Sequence, residues 1–163
     1  MMFVHDDGGR AAAGYKGRAG DCAVRAIAIA TELEYADVYR RLFDINRKRR
    51  RIRDRQSPRL GTPARSASEL LRALGWIWHP TMRVGAGCTV HLRADELPAG
   101  RLVVRCSHHL VAVVNGIIHD THDPSRGGSR CVYGYWMAPG NLESGARGAS
   151  SAACTSQADP RDG

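Results

Sequence analysis

His109-Leu110-Val111-Ala112-Val113-Val114-Asn115-Gly116-Ile117-Ile118-His119-Asp120 is two apolar runs joined by Asn-Gly, a strong signature of a β-hairpin with a type I′ turn. With Asn115 and Gly116 as the turn residues, Val114 faces Ile117, Val113 faces Ile118, Ala112 faces His119 and Val111 faces Asp120. Opposed residues, and residues two apart on one strand, share a face of the sheet. His109, Val111, Val113, Ile118 and Asp120 therefore project to one side, with Asp120 diagonally beside His109. His108 and His119 are expected on the other side. A carboxylate so placed holds the tautomer and orientation of an imidazole, the third role in nucleophile–base–orienter sites.

Outward from the hairpin, Cys131–Trp136 reads as a last strand. From Pro139 onward the chain is Gly, Ala, Ser and scattered charge, so residues 138–163 are expected to be a disordered tail. Upstream, Arg101–Ser107 reads as a strand and Asp95–Gly100 as a turn. Gly75–Val84 holds a short strand ended or edged by Pro80, with Trp76 and Trp78 on one face of it. Thr62-Pro63 opens a helix with apolar positions 67, 70, 71 and 74 that stops at Gly75. Tyr35–Phe43 is amphipathic at helical spacing. Asp21 is a good N-cap for a helix from Cys22 to Ala30 in which every residue but Arg25 is apolar, the pattern of a central, buried helix. Residues 1–20 show no period; they are read as an irregular lead-in, flexible over 1–14. Helices precede strands, which predicts an α+β class and one domain over 15–137.

The 163 residues are 43% hydrophobic and 25% charged, enough for a real core, and with 6% aromatics that core rests on aliphatic side chains. No apolar run reaches the roughly 18 residues of a membrane span, and the N-terminus lacks the pattern of a signal peptide. Five cysteines with no CxxC pair argue against a disulfide framework or a four-Cys zinc site, so a cytoplasmic, reduced protein is expected. The net charge of +8 is local: ten basic and two acidic residues between Arg40 and Arg59 account for all of it. This run is expected to be a basic loop or helix extension over 47–59.

A His–Asp pair needs a nucleophile, and Cys22 sits where a thiolate is stabilised, in the first turn of a helix. GDCAVRAIAIAT (residues 20–31) and HLVAVVNGIIHDTHDP (residues 109–124) resemble the papain-like cysteine peptidases, in particular small bacterial and phage members. The resemblance implies a papain-like fold, with N-terminal helices followed by an antiparallel β-sheet and the nucleophile at the start of the central helix. It implies Cys22 as nucleophile, His109 as general base and Asp120 as orienting acid, acting on a peptide or protein substrate without a cofactor. Asp123, where a family-like Asp-Pro occurs, is the alternative third member. That fold usually carries an oxyanion-hole Gln shortly before the Cys, whereas this chain has only Gln56 and Gln157. The Cys22 N–H is then one donor, and Asp21, Tyr15 and Lys16 are the supporting candidates.

Other assignments compete. Cys88, Cys106, Cys131 and Cys154 read as structural or incidental. The histidines and aspartates of 108–123 have metal-ligand chemistry, but the hairpin register divides them between two faces, so no metal is expected. The basic residues Arg47, Lys48, Arg49, Arg50, Arg51, Arg53 and Arg55 are phosphate-contact candidates without interleaved aromatics. They define the rival function, an inactive papain-like scaffold that binds nucleic acid or an acidic partner. A transamidase or a deubiquitinase-like reaction uses the same three residues as a peptidase.

Overall fold

The Asn115-Gly116 turn forms as its residues require: both have positive φ, +49° and +77°, which is the type I′ conformation. It joins β4 (His109–Val114) to β5 (Ile117–Asp120), with Val114 opposite Ile117, Val113 opposite Ile118 and Ala112 opposite His119. This computed structural model describes residues 1–48, 57–83 and 85–139. The remaining elements are β1 (Met2–His5), α1 (Cys22–Thr31), α2 (Tyr35–Lys48), α3 (Ala64–Ala73), β2 (Ile77–Pro80), β3 (Arg101–Cys106) and β6 (Val132–Met137). They make a mixed α+β fold with one six-stranded sheet, in the order β1-β5-β4-β3-β6-β2.

The sheet is antiparallel except at one edge, where β1 runs parallel to β5. This corrects two expectations, an entirely antiparallel sheet and a flexible 1–14 lead-in. Met2-Phe3-Val4-His5 is too short and too exposed to show a period, yet it pairs along the whole of β5. The chain then turns at Gly8 and Gly9, both at positive φ. A Cβ on Gly8 would lie 3.1 Å from backbone atoms of Arg25, so the lead-in packs directly on α1. At the other edge, β2 carries Pro80 where no inward partner needs its missing N–H.

Apolar side chains fill both faces of the sheet. On one, α1, α2 and α3 bury Val24, Ile27, Val38, Leu42 and Leu71 against Val103, Ala112 and Trp136. On the other, Leu92 and Leu97 of the long β2–β3 connection cover Leu102, Val104, Val111, Val113 and Ile118. Trp78 packs on Trp136, ring centroids 5.2 Å apart, so the tryptophan pair is core, as the strand alternation implied. Cys88 and Cys131 are joined in a disulfide, correcting the expectation of reduced cysteines. An odd cysteine count weakens the case for a framework of bridges, but it does not forbid a single one.

Of the basic run, Arg47 and Lys48 end α2, whereas Arg49, Arg50, Arg51, Arg53 and Arg55 lie outside the described residues. The tail from residue 140, with Cys154, also lies outside them. No described helix is long and apolar enough to cross a membrane.

Candidate active site

His109 opens β4 and Asp120 closes β5, so both stand at strand ends on the rim of the sheet, where the first turn of α1 presents Cys22. The His109 Nε2 and Asp120 Oδ2 atoms are 2.5 Å apart. Cys22 and His109 line one groove, and the ring is near enough to the thiol to act on its ionisation. Because Nε2 is engaged by the carboxylate, Nδ1 is the nitrogen left for the sulfur. Thus the structure brings together Cys22, His109 and Asp120, residues far apart in the chain.

Charge distribution explains what this contact does. Burial alone would push the Cys22 thiol up. The His109 hydrogen bond and charge, the Leu110 backbone N–H and the Arg25 guanidinium outweigh it and hold the thiol below its ordinary value. Burial would lower His109, but its bonds to Asp120 and Cys22 raise it to about 9. Burial would raise Asp120, and His109, the Thr121 N–H and Arg25 bring it below the usual carboxylate range. All three shifts favour a thiolate–imidazolium pair at neutral pH. The other free thiol among the described residues, Cys106, is buried and pushed up by that burial. Among the free thiols of the described residues, Cys22 alone is held below its ordinary value.

A second buried layer supports the triad. Arg25 bridges two carboxylates, bonding Asp21 with Nη1 and lying 3.3 Å from Asp120 Oδ1 with Nη2. Asp21, completely buried, also accepts from Arg10 Nε at 2.8 Å and from the Tyr35 hydroxyl at 2.5 Å. Burial and the neighbouring Asp21 carboxylate push the Tyr35 phenol up, so it stays a donor. Asp21 therefore does not cap α1 through its side chain, as its position predicted. Two arginines and a phenol outcompete the helix N–H groups, and its charge is turned from the thiol. Arg25, Arg10 and Tyr35 were not recognised in the sequence. The available signal was a lone arginine four residues after Asp21 in an otherwise apolar helix, the spacing of a helical ion pair.

The supporting candidates Tyr15 and Lys16 are held elsewhere. Their carbonyls accept from Arg10 at 3.2 Å each, and the Tyr15 ring packs on Tyr35 and Tyr39. Neither lines the groove at Cys22. Asp123 turns away to accept the Ser125 N–H at 2.8 Å, in a loop beyond β5. His119 lies outside the Cys22 groove, its Nδ1 3.0 Å from Asp6, in a depression it shares with Ala28 and Ile29 of α1. His108 departs from expectation: it is not on the reverse face of a strand. It lies in the two-residue β3–β4 turn at φ +54°, exposed, and lines the groove beside His109. No Gly or Asn marks that turn, so its position was not legible.

The groove has a volume of about 500 Å³ and runs between the start of α1, the Gly61–Ser68 segment and β3 and β4. Thr62 lines it with a hydroxyl that has no partner among the described residues. His109, Asp120 and His122 each offer one atom within 4.8 Å of the others, and such a set is able to ligate a cation. Two features oppose that use: Arg25 lies against Asp120, and the His109–Asp120 bond occupies the same atoms. No family model, curated protein or solved structure matches the chain.

Proposed function

We propose that the protein is a cysteine-dependent hydrolase of peptide, amide or isopeptide bonds. The observation that carries this reading is one imidazole bonded to a buried carboxylate and sharing a groove with a thiol at a helix start, which it holds below its ordinary value. The papain-like resemblance points the same way.

In the reading, the Cys22 thiolate attacks the carbonyl carbon and the C=O electrons move to oxygen. The Cys22 and Ala23 N–H groups, which precede the first N–H of α1 bonded to the Asp21 carbonyl, face the developing oxyanion. Collapse breaks the C–N bond. The proton already on His109 goes to the leaving amine, and a thioester remains on Cys22. Water then attacks the thioester, giving its proton to His109, and the acid product leaves with Cys22 restored as thiolate. Asp120 holds the ring through both halves, and Arg25 keeps Asp120 ionised and in place.

Turnover of a panel of fluorogenic peptide and isopeptide amides tests this. Cys22→Ala and His109→Ala are expected to lower turnover by on the order of 10³ or more while the fold melts normally. Asp120→Asn is expected to be milder, at about tenfold to a hundredfold, because a poorly oriented base still works at times. Retention of turnover in Cys22→Ala refutes the reading. The rival, a nucleic-acid or acidic-partner scaffold using the basic 40–59 segment, predicts instead a salt-dependent retention on nucleic acid that disappears on deleting residues 47–55.

A further inference from the structure

The groove at Cys22 does not end at the nucleophile. It shares Ala64, Ser68 and Arg105 with a second depression of about 650 Å³, whose walls add Arg65, Glu69 and Arg72. Arg65 and Arg72 lie seven residues apart on α3, two turns along one face, and so stand about 10 Å apart. That is about three residues of extended chain. Arg105 enters from β3 and is common to both depressions. All three side chains are exposed, and none pairs with a carboxylate of the described residues. Arg72 is seated over the Trp136 ring, 5.6 Å from its centroid. Glu69 is the counter-charge on this shelf and has a partner of its own. The described residues lining the catalytic groove include no carboxylate.

The side beyond His109 has the same sign. A depression of about 570 Å³ there carries Arg126 and Arg130 in its wall, with one carboxylate, Asp123, which accepts the Ser125 N–H. Each flank of the nucleophile holds more arginines than carboxylates, two against Asp123 on one side and three against Glu69 on the other, and such a field attracts anionic groups and repels cationic ones.

Building on the hydrolase reading, we propose that the substrate is a polypeptide with acidic side chains flanking the scissile amide. An extended segment leaving Cys22 meets Arg105 first, and then Arg65 and Arg72, with carboxylates received by the guanidinium forks. Rim ion pairs are individually weak, so selectivity accumulates over the three to about tenfold.

The test uses the full chain and short peptides bearing a thiol-reactive electrophile at either end, an acyloxymethyl ketone or a chloroacetyl group. The flanking residues are Glu, Ala or Lys, and the rate of Cys22 modification is read by mass spectrometry. Glu peptides are expected to react about tenfold faster than Lys peptides at low salt, with the ratio falling in 0.5 M NaCl. In the Arg65→Glu/Arg105→Glu double variant the ratio should invert. Being a ratio within one sample, it is insensitive to partial unfolding. A ratio near one in the native protein, or one unmoved by charge reversal, overturns the inference and leaves the hydrolase reading intact. Failure of every peptide to modify Cys22 faster than Cys106 removes both. If a single-stranded oligonucleotide blocks the Glu peptides and the double variant escapes the block, the shelf serves nucleic acid and the peptide assignment is wrong.

Discussion

Arg25 is the residue on which the site's electrostatics turn, because among the described residues it alone touches both buried carboxylates, Asp21 and Asp120. Removing one partner of a buried ion pair leaves an uncompensated charge, which typically costs 3–5 kcal/mol. Asp21 keeps Arg10 and Tyr35, so Arg25→Met is expected to cost about 3 kcal/mol and lower the melting temperature by roughly 10 °C. A melt within 2 °C of the native protein contradicts this. The triad also makes stability depend on pH. His109, raised to about 9 in the fold from an unfolded value near 6.5, contributes stability that is complete below pH 6.5 and disappears as pH rises through 9. Asp120, depressed in the fold, contributes above the ordinary carboxylate range and loses that on acidification. Cys22, depressed in the fold, contributes in the opposite sense as pH rises and offsets the alkaline loss in the native protein. Thermal melts from pH 3 to 10 are therefore expected to show an alkaline decline in Cys22→Ala that vanishes when His109→Ala is added, beside an acid decline in the native protein. The His109–Asp120 pair was legible because a hairpin sets those two residues beside each other, but their side was not: Val111, Val113 and Ile118, expected on the same face, pack away from α1, whereas His109 and Asp120, at strand ends, reach toward it. Arg25 was not legible, since one charge in an apolar helix reads as an interruption until its partners are seen in space.

Among the elements, the Asn-Gly hairpin was legible to the residue because turn chemistry and strand period are both local. The helices were legible for the same reason. β1 was not: its partner β5 is far along the chain, and four exposed residues carry no pattern. Without β1, the Asp6 N–H would not bond the Asp120 carbonyl at 2.8 Å, so the lead-in braces the end of the strand that supplies the orienting acid. At the opposite side of the sheet, Gly134 of β6 has φ +154°. A Cβ there would meet Trp78 ring carbons at 2.4 and 2.5 Å and the His79 carbonyl at 2.7 Å. The backbone cannot yield as a flexible side-chain tip does, so Gly134→Ala is expected to cost about 2–3 kcal/mol by overpacking. Denaturant titration checks this, and an unchanged midpoint contradicts it.

Across the chain as a unit, the disulfide and the triad were legible to different degrees for one reason. Composition constrains cysteine chemistry weakly, whereas the order Cys, His, Asp on a helix start and a hairpin constrains it strongly. Cys88–Cys131 closes a loop of 43 residues, and loop-closure entropy for that length corresponds to about 4 kcal/mol. Reduction should therefore lower the melting temperature by roughly 10 °C without displacing Cys22 from His109. An equal melt with and without reductant contradicts the bridge's contribution. The thiolate–imidazolium pair is tested most directly by the pH dependence of Cys22 alkylation by iodoacetamide, mapped by mass spectrometry in the native protein and in His109→Ala. The expected result is selective modification of Cys22 over Cys106 with a half-point below the ordinary thiol value of about 8.5. In His109→Ala that half-point should shift upward, because burial then acts with less opposition. Modification of Cys22 that follows the ordinary thiol titration in both proteins would contradict the ion pair and, with it, the assignment of Cys22 as an activated nucleophile.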